Sequence, residues 1–148
     1  MLIGIHPLLT ADLLHAMASM GHGDELALVD ANFPSVSIGK RVVNLPGASA
    51  PDALAAILTR FPLDASPGPA AFTMAVVGDP RAVPEPVAAF AAVLARSAPA
   101  DAKPMVPLER HAFYERARHA FVVVRTGELR KYGNLLLVKG VVNRYDPP

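Results

Sequence analysis

Gly21-His22-Gly23-Asp24-Glu25-Leu26-Ala27-Leu28-Val29-Asp30-Ala31-Asn32-Phe33-Pro34 joins a glycine turn, a short apolar run and a polar loop. Leu26 to Val29 are apolar without interruption, and charged residues stand on either side. A run of that length reads as a strand over Glu25 to Asp30. Upstream, Thr10-Ala11-Asp12 opens a helix. Thr10 can cap the free N–H groups and Asp12 suits the positive end of the helix. Leu13, Leu14, Met17 and Met20 continue at helical spacing, and Gly21 is expected to end the helix in a left-handed turn.

The same alternation continues downstream. Arg41 to Leu45 reads as a strand, and Ser49 caps a helix through Asp52, Leu54, Ile57 and Leu58. Phe72 to Val77 reads as a strand closed by Gly78-Asp79-Pro80, and Pro84 to Arg96 as a helix. Ser97 to Pro107 is a proline-containing connector, and Leu108 to His119 a polar-faced helix. Phe121 to Arg125 and Leu135 to Val142 read as the last two strands. Helices and strands alternate to the end, so the class is α/β. The 148 residues fit one domain, 1–148, with no internal repeat and no linker.

Composition narrows the function. With 52% hydrophobic and 18% charged residues, the chain has enough apolar surface to build a core, which rules out a disordered chain. The net charge of +1 comes without a basic stripe, so a nucleic-acid partner is not expected. There is no cysteine, which removes disulfides and thiolate chemistry and leaves only histidine and carboxylates as metal ligands. No apolar stretch approaches the roughly 20 residues that span a bilayer, and Met1 to Pro7 lacks the pattern of a secretory signal. A cytoplasmic location is expected. So much apolar sequence in a short chain also suggests that part of the surface is hidden against further copies.

Three polar clusters interrupt the apolar chain. His22 lies between glycines, free of bulky neighbours, and an imidazole can donate or accept a proton at neutral pH. On spacing alone a solvated turn histidine is the stronger reading. Asp30 lies just past the end of a strand, where α/β proteins place ligand groups. It could accept from sugar hydroxyls, orient His22, or simply bond its own loop backbone. Arg110 and Tyr114 share a helix face four residues apart, and Tyr132 and Asn134 point the same way in an extended segment. Arginine, tyrosine and asparagine form a set suited to sugars, since asparagine offers a paired donor and acceptor and tyrosine a flat face with a hydroxyl. The competing reading is a solvated helix face beside a packed hairpin. His15 and His22 straddle Gly21, so they make no helical ligand pair, and no phosphate loop or nucleophile elbow is present.

Taken in order, Ile5-His6-Pro7-Leu8-Leu9, Met20 to Glu25, Asp30 to Pro34, Phe113-Tyr114-Glu115-Arg116-Ala117, Thr126-Gly127-Glu128 and Lys131-Tyr132-Gly133-Asn134 resemble the RbsD/FucU family of sugar mutarotases and pyranases. Gly23, Phe33 and Gly133 bring the chain nearest to its L-fucose branch. The resemblance implies a compact domain with a central sheet flanked by helices. It also implies an isomerase that interconverts the anomers of a free monosaccharide without a cofactor or metal. His22 matches the proton donor; Asp30, Arg110, Tyr132, Gly133 and Asn134 match the sugar-binding set, and Tyr114 a further site residue. Relatives form symmetric rings, often decamers, with the site completed by a neighbouring subunit. On that pattern the early pair His22 and Asp30 and the late pair Tyr132 and Asn134 could come from different subunits, although a single folded chain could also bring them together. The alternatives are a D-ribose pyranase, or a sugar-binding protein that uses the same pocket without catalysis.

Overall fold

The computed structural model describes residues 2–97 and 103–143. The tail beyond Asn143 and the middle of the connector, whose function the sequence leaves open, lie outside the described residues. In chain order the elements are α1 (Ala11–Ser19), β1 (Glu25–Val29), α2 (Ser35–Ile38), β2 (Val42–Leu45), α3 (Ala50–Leu58), β3 (Ala71–Met74), α4 (Glu85–Ser97), β4 (Val106–Leu108), α5 (Arg110–His119), β5 (Val122–Thr126) and β6 (Leu135–Val138).

The strands form one mixed sheet in the order β2-β5-β1-β6-β3-β4. β5 runs parallel to β1 and β2, and β4 parallel to β3, while β6 is antiparallel to both its neighbours. Alternating side chains divide the interior into two layers. Leu26, Leu28, Val122, Val124, Leu135 and Leu137 face α1, α3 and α4. Ala27, Val29, Val123 and Leu136 face the other way, onto Phe113 and Ala117 of α5. The sheet is therefore covered on both faces, which is why its inner strands are apolar without alternation. At full burial a leucine or phenylalanine side chain contributes about 1.5–3 kcal/mol, and Phe90, Phe113, Leu54 and Ile57 are all fully buried.

The expected caps are present. The Thr10 hydroxyl accepts from Leu13 N–H, and the Ser49 hydroxyl from Asp52 N–H. The end of α1 differs from expectation: Met20 leaves the helix in extended geometry, and the left-handed residue is Gly23, in the turn itself. Two short elements were not anticipated. α2 is a single turn after Pro34, and β4 carries Pro107 opposite Thr73 inside what reads as a connector. β3 stops at Met74 and β6 at Val138, well short of the expected ends. In both cases the chain leaves the ladder for other partners: Val76 bridges Asp79, and Lys139 bridges Leu63.

Candidate active site

The mixed topology brings the loops that carry most of the candidate site residues to one end of the sheet. The C-terminal ends of β1, β5, β3 and β4 and the start of antiparallel β6 all lie there. Asp30 follows β1, Arg110 opens α5 just past β4, and Asn134 precedes β6. Between them opens a cleft of about 210 Å³ lined by Asp30, Asn32, Phe33, Met74, Arg110, Tyr114, Lys131, Tyr132 and Asn134.

Asp30 and Asn134 form its floor. Asp30 N–H donates to Asn134 Oδ1 at 3.1 Å, and Asn134 Nδ2 donates to Asp30 Oδ2 at 2.8 Å. Asn32 N–H donates to Asp30 Oδ1 at 3.0 Å. Burial raises the proton affinity of the Asp30 carboxyl above the ordinary carboxylate range; these hydrogen bonds oppose the shift, and the nearby Glu128 charge adds to it. Asp30 Oδ2, which accepts from Asn134 Nδ2, keeps a lone pair for a ligand hydroxyl.

The wall is aromatic. Tyr114 lies over Phe33 with ring centroids 5.3 Å apart, and Phe33 meets Phe113 edge-on at 6.1 Å. Tyr132 adopts φ +64°, a left-handed conformation unusual for a tyrosine, and its hydroxyl accepts from Val77 N–H at 3.3 Å. Strain of that kind persists only where the surroundings enforce it. Here the support is Glu128, which is buried beneath the loop. Its carboxylate accepts from Arg130 N–H at 3.0 Å, Nε at 2.8 Å and Nη2 at 2.7 Å, and Arg130 Nη1 also reaches Glu85 on α4. The guanidinium holds the Glu128 carboxyl down to about 2. Gly133 packs onto this pair so closely that a Cβ there would lie 2.7 Å from Glu128 Cγ and 3.5 Å from Asp30 Cβ.

Asp30, Arg110, Tyr114, Tyr132, Gly133 and Asn134 are thus gathered in one chain, and His22 is not with them. It sits before β1, at the opposite end of that strand, whose five residues span about 16 Å. Two expectations change accordingly. Asp30 belongs with Tyr132 and Asn134 in one subunit, since it pairs directly with Asn134, and it does not contact the His22 of its own chain. The partner of His22 is Asp64, with Nε2 and Oδ1 3.3 Å apart.

Met74 and Lys131 in the lining, Glu128 beneath it and Asp64 beside His22 were not singled out from sequence, and Phe33 was noted only as a mark of the L-fucose branch. Glu128 lay within the Thr126-Gly127-Glu128 match; Asp64 carried no local signal. A larger groove of about 690 Å³ runs between α4, β3 and β4, but its lining is mainly alanine, valine, proline and methionine. The smaller cleft holds the converging polar groups that a sugar requires. Among the described residues, no three histidine or acidic side chains gather as metal ligands, and no helix is long and apolar enough to cross a membrane.

Residues 3–142 match the model of the RbsD / FucU transport protein family. Among solved structures, fucose mutarotase from Streptococcus pneumoniae in complex with L-fucose is 34% identical, with a TM-score of 0.86 over 95% of this chain and 99% of that one. FucU from Bifidobacterium longum is 42% identical, with a TM-score of 0.85 over 94% and 99%. Atu2016, provisionally described as a sugar-binding protein, is 41% identical, with a TM-score of 0.91 over 96% and 97%.

Proposed function

The chain belongs to the RbsD / FucU family, and from that premise we propose that it is a mutarotase interconverting the α and β anomers of a free monosaccharide, with L-fucose as its substrate. The observation that carries this reading is the buried Asp30–Asn134 pair opening into an aromatic-walled cleft with Arg110 at its rim. Such a cleft offers acceptors and donors for vicinal hydroxyls and a flat face for a pyranose.

Ring opening breaks the bond between the anomeric carbon and the ring oxygen. One proton moves onto the ring oxygen while another leaves the anomeric hydroxyl, and closure on the opposite face of the aldehyde reverses both transfers. His22 is the proposed donor to the ring oxygen. Asp30, with its raised proton affinity, is the proposed acceptor from the anomeric hydroxyl. General acid–base help of this kind is worth about 10²–10⁴-fold.

Within one chain His22 lies too far from the cleft to act on a sugar bound there, so the proposal includes a neighbouring copy that supplies it. Exposed apolar residues flank both half-sites: Val77 and Leu129 beside the cleft, Val141 and Val142 just beyond Lys139 at the His22 end. A head-to-tail contact between these ends pairs each cleft with the next subunit's His22, and a rotation that closes gives a ring such as the pentamers of a decamer. The proposed location is the cytoplasm, where a cysteine-free chain is at home.

Saturation-transfer NMR on purified protein tests the reading. L-fucose anomers should exchange faster than in buffer, with no added metal or nucleotide. Exchange at the buffer rate for L-fucose, D-ribose and D-galactose alike would refute catalysis, and tight binding of fucose in that case would point to a binding protein. Fast exchange of ribose alone would identify a pyranase.

A further inference from the structure

Tyr132 holds a left-handed backbone that tyrosine does not favour, so something in the loop must keep it there. We propose that Arg130 is the positioning residue of the sugar-holding loop: braced between Glu128 and Glu85, it keeps residues 131–134 in their binding shape before a sugar arrives. The inference rests on the reading of Tyr132 and Asn134 as sugar contacts.

Glu128 serves two segments at once. Its carbonyl accepts from Ala31 N–H at 2.9 Å, directly after Asp30. Its N–H donates to Thr126 Oγ1 at 3.2 Å, and that hydroxyl donates to Val29 O at 2.9 Å. The Glu128 backbone is therefore fixed to the end of β1. Its side chain takes the Arg130 fork: Oε1 accepts from the backbone N–H and Nε, and Oε2 accepts from Nη2. A two-pronged contact of this kind sets the plane of the guanidinium as well as its distance. The remaining nitrogen, Nη1, donates to Glu85 Oε1 at 2.6 Å, on the first residue of α4. One side chain thus ties the loop to the strand that carries Asp30 and to the start of α4.

Burial decides which arm holds the loop. The Glu128 side chain is 4% exposed and that of Glu85 78%. The sheltered contact is weakly screened, whereas an exposed ion pair contributes little. Because Arg130 holds the Glu128 carboxyl down to about 2, both partners stay charged from mildly acidic to neutral pH. A lysine in place of Arg130 offers a single ammonium, which cannot reproduce the planar fork.

The consequence appears in affinity. With the fork gone, the free loop relaxes toward ordinary backbone conformations, which outweigh the left-handed one by about 5- to 150-fold. A sugar must then select the minority shape, and its apparent affinity falls by the same factor. The loaded site is unchanged, so the rate at saturation is kept.

Fucose titration, exchange kinetics and ¹³C NMR of the Tyr132 backbone, on Arg130→Met and Arg130→Lys, test the proposal. In the wild type the Tyr132 shifts should report a left-handed backbone with and without fucose. In both variants the free-protein shifts should move toward the ordinary regions and return when fucose saturates the site. Kd should rise by about 5- to 150-fold, and kcat should stay within about twofold. A loss of stability alone, measured while the variants are folded, would not produce that split. Arg130→Met strands a buried charge, so Arg130→Met combined with Glu128→Gln repeats the measurement without one, with the same result expected. Unchanged Tyr132 shifts with wild-type Kd would overturn the positioning role, as would a fall in kcat with Kd intact. Asn134→Ala separates the two levels. If it binds fucose weakly while the Arg130 variants bind normally, only the positioning role fails. If it binds normally, the loop is not a sugar contact and the inference falls with that reading.

Discussion

Of the proposed cleft residues, Asp30 is the one whose protonation can be followed by pH. Its carboxyl takes up a proton at a higher pH than an exposed aspartate, because burial disfavours its charged form. Protonation removes an acceptor and the negative charge from the floor of the cleft. On acidification, fucose affinity should therefore begin to fall above the ordinary aspartate range. Calorimetric titration across mildly acidic pH should show that early decline in the wild type, and Asp30→Asn should bind more weakly with a flat profile there. A wild-type affinity constant down to the ordinary range would remove Asp30 from the sugar contacts. The sequence named Asp30 because a residue just past a strand end is a recognisable position, and Arg110, Tyr114, Tyr132 and Asn134 because their types and local spacing suit a sugar. Asp64 stayed hidden because His22 lies 42 residues away, and nothing local in an Asp-Ala-Ser loop points to a distant imidazole.

Among the secondary elements, α1 is held at both ends by side chains, and only one end adjoins the proposed proton donor. Lys139 Nζ donates to Met17 O at 2.8 Å and Met20 O at 2.6 Å, satisfying carbonyls at the helix end that precede His22. Lys139→Met keeps the stem and strands those carbonyls, at a cost of about 1–3 kcal/mol. Thr10→Ala removes the cap at the far end, at about 1 kcal/mol. Both variants should melt lower than wild type, but only Lys139→Met should also slow exchange at temperatures where both are folded. Equal exchange rates in the two would mean that the His22 turn is set without Lys139. The long helices were legible because threonine and serine caps and apolar spacing are local signals. β4 and α2 were not, since a three-residue strand containing proline and a single turn after Pro34 are set by neighbours. The ends of β3 and β6 were misplaced because their β-branched runs continue after the ladder has ended, as in Val141 and Val142.

For the molecule as a whole, the separation of His22 from the cleft makes assembly testable by complementation. His22→Ala, which removes the proposed proton donor, and Asp30→Asn, which removes the proposed acceptor, should each exchange fucose only at the buffer rate alone. Co-refolded in equal amounts, they should regain activity at about one site in four, the share that receives both intact halves by random pairing in a head-to-tail ring. Mixtures that stay inactive despite measured subunit exchange, or a monomer by light scattering, would refute the shared site. Sheet order was beyond the reach of sequence, because β1 lies between β5 and β6 from the far end of the chain, and local periodicity says nothing about which strands pair. The way the sheet ends at β4 has a further consequence. That strand is three residues long, and Pro107 has no N–H to offer outward. An incoming extended segment finds no continuous row of donors and acceptors, so amyloid-like growth from this side is blocked by the backbone itself. A protein that presents apolar residues at both ends of its sheet is thereby protected, along this edge, from strands zipping together sideways.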